Sequence, residues 1–144
     1  EMQAAVRKKL PATDVFIAAA AVGDWRFRTV SKTKLKKGHA RSMTVSLVRN
    51  PDILAEAGQK KYRHKYTLIG FALETSNSIS AAKKKIKEKK LDLIVANDPS
   101  SFSSMHIKPT LIDASGRITR YPRLSKTRFS TIIASWIEAH RNIL

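Results

Sequence analysis

Three short apolar segments constrain the fold of this chain more than any other feature. They are VFIAAAAV at residues 15–22, YTLIGFAL at residues 66–73 and LDLIVA at residues 91–96. Predominantly apolar runs of this length are typical of strands that helices cover on both faces. Helical patterns alternate with them, at residues 1–10, 50–60 and 76–90. The alternation predicts an α/β fold, a Rossmann-like three-layer α/β/α sandwich with a mainly parallel central sheet and right-handed crossovers.

Shorter elements complete the predicted fold. Residues 43–48 (MTVSLV) alternate between apolar and polar side chains, which predicts a strand with one polar face. Asn50 and Pro51 have the residue types of an N-cap and a first helical position, so a helix is expected to begin there and to run to residue 60. Residues 107–113 and 117–121 flank Ala-Ser-Gly, which predicts a hairpin. A closing amphipathic helix over residues 125–142 is expected to turn inward Phe129, Ile132, Ile133, Trp136 and Ile137.

Length and composition restrict the function classes. A chain of 144 residues can bury a core, so we expect one domain over residues 1–144. It has no cysteine, which excludes a disulfide framework, a thiolate metal site and a cysteine nucleophile. No apolar run reaches the ~20 residues of a membrane span and no secretory signal is visible, so we expect a cytoplasmic protein with no membrane partner. Because the chain opens inside a helical pattern without a cap, we also expect an upstream portion.

The strong positive charge leaves two kinds of partner open. The formal net charge is +17, and lysine- and arginine-rich faces bind nucleic-acid backbones by releasing counterions. However, the charge is spread along the whole chain and accompanies no recognised nucleic-acid motif. An anionic small ligand fits it equally well.

The ends of the three apolar runs are candidate ligand positions. Ligands of open α/β sheets bind beyond the carboxyl ends of the strands. The first run ends in Asp24 and is followed by the basic loop KLKK at residues 34–37, which suits a nucleoside triphosphate with its metal. A buried strand followed by a solvated loop is the simpler interpretation, and these residues alone favour it. The other two runs end in polar pairs, at residues 74–75 (Glu-Thr) and 97–98 (Asn-Asp).

Further candidates lie on the predicted helices and strands. The helix start at residues 50–53 would offer backbone N–H groups to phosphate, although Asp52 competes for those donors. Lys85 and Lys89 are four residues apart and project from the same side of a helix, whose six lysines otherwise suggest a solvated face. Phe71 suits a core position, or else stacking on a planar base. No catalytic triad, Walker loop or glycine-rich dinucleotide fingerprint is present.

Taken in order, these motifs resemble phosphopantothenoylcysteine synthetase, the second activity of the bifunctional flavoprotein of coenzyme A biosynthesis. The matching blocks are AAVGDWR (residues 20–26), KLKK (34–37), NPDI (50–53), GFALET (70–75), the pair Lys85 and Lys89, LDLIVAND (91–98), Phe102 and SK (125–126). Gly23 and Leu73 stand where the family usually has alanine. The glycine- and serine-rich segment that opens the family's domain is absent, so the chain resembles its C-terminal portion.

The resemblance implies a two-step ligation. The carboxylate of 4'-phosphopantothenate attacks the α-phosphorus of CTP, which releases pyrophosphate and forms an acyl-cytidylate. The amine of cysteine then displaces CMP and forms an amide. The implied ligands are CTP and Mg²⁺, with FMN only in a separate upstream decarboxylase domain, and the implied assembly is a homodimer.

The resemblance also assigns roles to individual residues. Asp24 and Lys34 would be catalytic, with Asp24 on the ribose hydroxyls or the metal and Lys34 on the triphosphate or acyl-cytidylate. Phe71 would form the base pocket, and Lys85 and Lys89 would be further basic contacts to the nucleotide. The remaining nucleotide contacts would be Ala18, Ala19, Ala20, Pro51, Asp52, Ile53 and Leu54.

Two interpretations without catalysis remain beside the enzyme. In one, the positive charge follows a nucleic-acid backbone. In the other, the chain is a dimerisation module, whose strand at residues 43–48 and basic loop pair across a two-fold axis.

Overall fold

The computed structural model describes residues 1–36, 41–59, 65–73, 78–97, 101 and 104–140. The described helices are α1 (Met2–Lys9), α2 (Ile53–Gln59), α3 (Ser78–Lys89) and α4 (Lys126–His140). The described strands are β1 (Val15–Ala18), β2 (Trp25–Phe27), β3 (Leu47–Arg49), β4 (Thr67–Leu73), β5 (Leu93–Asn97), β6 (His106–Ile107), β7 (Thr110–Asp113), β8 (Ile118–Arg120) and β9 (Leu124–Ser125). They fall into two compact units, a larger one of Glu1–Ala19 with Ile53–Leu144 and a smaller one of Ala20–Asp52.

A five-stranded sheet in the order β1-β4-β5-β7-β8 forms the centre of the larger unit. The first three strands are parallel, whereas β7 and β8 are antiparallel to their neighbours. Helices pack on both faces, because successive residues of a strand point to opposite sides. Leu68 and Ile94 belong to a core shared with α1, α2 and α3, and Ile69 and Val95 belong to a second core shared with α4. The predicted three-layer sandwich is thus confirmed.

Two local contacts fix how neighbouring elements pack. Asp92 Oδ2 accepts a hydrogen bond from the Leu68 N–H at 2.6 Å, and the Asp92 N–H donates to the Leu68 carbonyl at 2.9 Å, so Asp92 joins the amino ends of β4 and β5. Glycine is the only residue type that fits at position 58 in α2. A Cβ there would lie 1.8 Å from the carbonyl oxygen of Lys89 at the end of α3.

The predicted hairpin and closing helix are confirmed, but the first hairpin strand begins at Thr110 and not at residue 107, because Ile107 belongs to β6 and pairs with β9. The β7–β8 turn places Gly116 at φ +89°, and Asp113 Oδ1 accepts bonds from Ser115 Oγ at 2.6 Å and the Arg117 N–H at 3.0 Å. Burial raises the pKa of Asp113, but these hydrogen bonds outweigh it and hold the pKa below its usual value. In α4, Phe129 and Ile133 are buried and the other three predicted inner side chains pack beside them.

Three further predicted boundaries were wrong. The first strand ends at Ala18 and not at residue 22, and the Val22 N–H instead donates to the Ala20 carbonyl at 3.0 Å. β1 pairs with β4 on one side, and Ile17 is 41% exposed, so it is not the fully covered strand that its composition suggested. The strand predicted at residues 43–48 is β3, and its partner β2 was not predicted.

The third wrong boundary is the start of α2. The helix begins at Ile53, so Asn50 is not its N-cap and Pro51 is not its first residue. Residues 60, 76–77 and 141–142 of the predicted helices lie outside the described part of the chain. Within that part, none of the helices has the length and apolar character needed to cross a membrane.

Candidate functional site

The carboxyl edge of the central sheet is formed by the ends of β1, β4 and β5. These strands are parallel, and the register places Ala18 opposite Gly70 and Leu73 opposite Asn97. β1 therefore stops three residues short of β4, which leaves a step in the edge. Ala18 is half-buried at the step and Ala19 is exposed beyond it. The small side chains at these two positions leave the backbone open to a ligand.

Phe71 lies on the face of the sheet that α4 covers. Its ring meets Phe129 edge to face, with the ring centroids 6.5 Å apart and the planes at 81°. Phe71 is nevertheless only half-buried. The contact with Phe129 therefore does not enclose the whole side chain.

Ile53 and Leu54 are held by packing at the start of α2. Leu54 lies over Gly70, where a Cβ would come within 2.9 Å of Leu54 Cδ2 and 3.0 Å of Leu91 Cδ1. The glycine of the GFALET motif thus lets α2 approach the sheet closely. α1 fixes the other side of α2, because Gln3 and Arg7 donate to the Glu56 carboxylate. The hydrogen bonds to Glu56 and its negative charge raise the pKa of Arg7.

In the smaller unit, Asn50 binds the turn that carries Asp24. The Asn50 N–H donates to the Asp24 carbonyl at 2.7 Å, and Asn50 Nδ2 donates to the Gly23 carbonyl at 2.7 Å. Arg26 Nη1 in turn donates to Asn50 Oδ1 at 2.9 Å and to the Arg49 carbonyl at 3.1 Å. The AAVGDWR and NPDI motifs, which are 24 residues apart at Arg26 and Asn50, therefore meet here.

This role of Asn50 was missed at the sequence level. The residue type suits an N-cap, and the pattern offers no sign that the amide faces back toward residues 23 and 24. The Asp24, Pro51 and Asp52 side chains are exposed beside this junction, as is Ala20.

Lys34 follows a short turn in the same unit. Ser31 Oγ donates to the Thr33 carbonyl at 2.6 Å and accepts from the Thr33 N–H at 3.3 Å, immediately before the lysine. The Lys34 side chain is exposed, so its ammonium group is open to solvent and to ligand. Lys37, at the end of this basic segment, lies outside the described residues.

The smaller unit also exposes a row of large apolar side chains. On β2, Trp25 is 60% and Phe27 is 57% exposed, and Met43 and Val45 before β3 and Leu47 at its start are exposed as well. Of the strand predicted over residues 43–48, only residues 47 and 48 belong to β3, and the apolar side chains of the alternating pattern are exposed in the described part of this unit.

Lys85 and Lys89 differ from the other lysines of α3. Both are half-buried, whereas the remaining lysines of residues 83–90 are exposed, and Lys84 pairs with Glu88 at 3.8 Å. The helix runs from the carboxyl end of β4 back to the amino end of β5. Lys89 therefore lies about 16 Å along the helix axis from its start at Ser78. The structure separates Lys89 from Ala18 and Phe71 at the carboxyl edge of the sheet.

Other candidates lie outside the described residues, namely Glu74, Thr75, Asp98 and Phe102. Within the described ranges no three side chains of His, Cys, Asp or Glu come together in a group that could hold a metal ion. A single exposed carboxylate such as Asp24 fits Mg²⁺ in its usual protein setting, in which one or two carboxylates share the ion with substrate phosphates.

Comparison with known proteins identifies the family of this chain. Residues 1–140, which span both units, match the family "DNA/pantothenate metabolism flavoprotein C-terminal domain". The coenzyme A biosynthesis bifunctional protein CoaBC of Vibrio vulnificus strain YJ016 is 42% identical over 101 residues, or 69% of this chain and 25% of that protein. The chain thus spans about a quarter of the length of the curated relatives it matches.

Two solved structures share the fold. The C-terminal domain of CoaBC superposes with a TM-score of 0.76 at 33% identity, covering 96% of this chain and 60% of that one. A Cab2 H337A mutant, in complex with phosphopantothenate-cysteine, superposes with a TM-score of 0.60 at 17% identity, covering 87% of this chain and 46% of that one. From the family match and the identity to CoaBC, we conclude that this chain belongs to the DNA/pantothenate metabolism flavoprotein C-terminal domain family.

Proposed function

We propose that this chain is the C-terminal portion of a ligase domain that joins 4'-phosphopantothenate to cysteine at the expense of CTP. Its similarity to proteins of coenzyme A biosynthesis supports the substrate class. The observation that carries the proposal is the junction of Asn50 with residues 23 and 24, which ties the Asp24 turn to Asn50 through two hydrogen bonds. A nucleotide site needs such preorganisation. If the turn were loose, part of the binding free energy would be used to order it when the ligand binds.

The proposed chemistry needs charge stabilisation more than acid–base catalysis. In the first step a P–O bond forms between the pantothenate carboxylate and the α-phosphorus, and the bond to pyrophosphate breaks. In the second step a C–N bond forms to the cysteine amine, the acyl C–O bond breaks, CMP leaves and the amine loses a proton to solvent. Negative charge accumulates on the leaving phosphate both times, where a lysine ammonium stabilises it and Mg²⁺, if held by Asp24, would add to that stabilisation.

In this proposal Lys34 stabilises that charge and Asp24 binds the ribose or shares the metal. Phe71 packs against the base, and the backbone at residues 18–20 and 51–54 approaches the nucleotide. Lys85 and Lys89 are kept as further basic contacts, since their partial burial sets them apart from solvated lysines. Lys85, one turn nearer the start of α3, would contact the nucleotide more directly than Lys89, which lies at the end of the helix.

We also propose that the chain forms a homodimer through the smaller unit. The exposed apolar side chains of β2, and of residues 43–47, form the kind of surface that a second copy covers. FMN, if the parent protein binds it, would belong to a separate decarboxylase domain.

The product of the reaction tests the function directly. The full-length protein is supplied with 4'-phosphopantothenate, cysteine, Mg²⁺ and CTP, and both 4'-phosphopantothenoylcysteine and pyrophosphate are quantified. We expect one pyrophosphate per amide, and no amide when the nucleotide is omitted. Amide formation without nucleotide, or CTP hydrolysis without amide, would contradict the proposed reaction.

A further inference from the structure

Arg26 is the second charged residue of the AAVGDWR motif, and the proposed chemistry gives it no part. It lies on β2 between Trp25 and Phe27, whose side chains are exposed in the apolar row of the smaller unit. Successive side chains of a strand point to opposite faces, so Arg26 lies on the other side of β2. There Nη1 donates to the Arg49 carbonyl at 3.1 Å and to Asn50 Oδ1 at 2.9 Å. The guanidinium is thus directed at the Asn50 junction and away from the apolar row.

The two partners of the Asn50 side chain determine which way its amide is turned. A guanidinium has only donors, so the amide atom that faces Arg26 must be the oxygen. A carbonyl has only acceptors, so the atom that faces Gly23 must be the amide nitrogen, which lies 2.7 Å from the Gly23 oxygen. The reversed amide would set nitrogen donors against the guanidinium and oxygen against oxygen. Arg26 therefore permits a single orientation, in which Asn50 donates to Gly23.

This orientation decides how firmly the turn before β2 is held. The Asn50 N–H donates to the Asp24 carbonyl at 2.7 Å, so the side-chain bond to Gly23 is the second of two bonds to consecutive carbonyl groups. A charged donor on Oδ1 also polarises the amide and strengthens the bond that its nitrogen makes. The Asp24 side chain is exposed, so its carboxylate is placed by the backbone that carries it and not by surrounding packing. The charge of Arg26 thus reaches Asp24 through Asn50.

We propose that Arg26 is a positioning residue for Asp24. Through the Asn50 amide it fixes the turn that presents the Asp24 carboxylate to the ribose or the metal of the nucleotide. The inference rests on the proposed function, because it assumes that Asp24 contacts CTP or its metal. It gives a role to a cation that does not touch the ligand, since the guanidinium acts on an asparagine amide and not on a phosphate.

Steady-state kinetics of the full-length protein test the proposal, with CTP and cysteine varied in turn. Arg26→Met keeps much of the side-chain length and removes the donors. We expect its KM for CTP to rise about tenfold, as for the loss of a charge-assisted bond that orders a ligand-binding group, while kcat and the KM for cysteine stay within about twofold. Arg26→Lys keeps a charged donor and should retain most of the wild-type behaviour. Arg28→Met removes an equally exposed guanidinium two residues later and should leave both KM values unchanged.

A double substitution separates action through Asn50 from a direct contact with the ligand. Asn50→Ala removes the amide but keeps the backbone bond to Asp24, and it should raise the KM for CTP by a similar factor. Adding Arg26→Met to Asn50→Ala should then raise that KM no further.

Three results would overturn the inference while the proposed function stands. A further rise of about tenfold in the double variant would show that Arg26 acts on the ligand itself. Wild-type kinetics of Arg26→Met, or an equal loss in Arg26→Lys, would show that the bond to Asn50 does not position Asp24. A lower kcat with both KM values unchanged in Arg26→Met would indicate a structural role alone. A wild type that forms no amide would overturn the proposed function and this inference with it.

Discussion

Lys34 is the residue on which the proposed chemistry depends most. Its ammonium group is exposed just after the Ser31–Thr33 turn, and negative charge appears on a phosphate in both steps. We expect Lys34→Gln to lower turnover by about 10²-fold or more, the range for losing one preorganised electrostatic stabiliser. CTP affinity should fall much less, because the base and ribose contacts remain.

Lys32→Gln is the matched control for that substitution. Lys32 carries the same charge and is equally exposed two residues earlier, but it lies outside the KLKK block. Its variant should keep wild-type turnover in a steady-state assay. Equal rates for wild type and Lys34→Gln, or equal losses in both variants, would show that the loop acts only as a basic surface.

At the residue scale, the sequence predicts chemistry better than it predicts contacts. Asp24 and Lys34 stand out because charged residues follow an apolar run. The role of Asn50 is set by hydrogen bonds to carbonyl groups 26 and 27 residues earlier in the chain, at Asp24 and Gly23. No local pattern encodes such a contact, since any asparagine before proline resembles a helix start.

At the scale of elements, the close contact of α2 with α3 is open to a direct test. A Cβ on Gly58 would lie 1.8 Å from the Lys89 carbonyl oxygen and 2.8 Å from its carbonyl carbon, and both are backbone atoms that cannot turn aside. Gly58→Ala must therefore push the two helices apart. We expect a loss of about 1–3 kcal/mol in the free energy of unfolding, measured by urea denaturation.

Gly23→Ala provides the contrast. A Cβ there would lie 3.6 Å from the Trp25 carbonyl oxygen, which is an ordinary van der Waals contact. The family that the motifs resemble also usually has alanine at this position. Its unfolding free energy should stay within about 0.5 kcal/mol of the wild type. A Gly58→Ala variant as stable as Gly23→Ala would contradict the described packing of α2 on α3.

An element is predicted accurately when burial gives it a local sequence pattern, and poorly when distant pairing sets its bounds. β4, β5, α3 and α4 were predicted because burial on one or both faces imposes a local pattern. β1 was predicted too long because its composition indicates burial, whereas its pairing with β4 ends at Ala18. β2 was missed because Trp25–Phe27 contains a single three-residue pairing with β3, too short to produce a periodic pattern.

At the scale of the whole molecule, the central claim is that the charge of +17 serves a specific nucleotide and not a general polyanion. The two possibilities differ in their response to salt. Binding along a nucleic-acid backbone weakens steeply and linearly on a log–log plot against salt, because many counterions are released together. A pocket that also recognises base and ribose loses affinity less steeply and distinguishes one base from another.

Isothermal titration of the full-length protein with CTP and with ATP, in the presence of Mg²⁺ and at two salt concentrations, tests this claim most directly. The account predicts that CTP binds at least about tenfold more tightly than ATP, as expected of a site with hydrogen bonds to the base, and that the preference persists at the higher salt. Equal affinities for the two nucleotides, with binding of both lost at the higher salt, would contradict it. The protein would then have a generally basic surface and no specific nucleotide site.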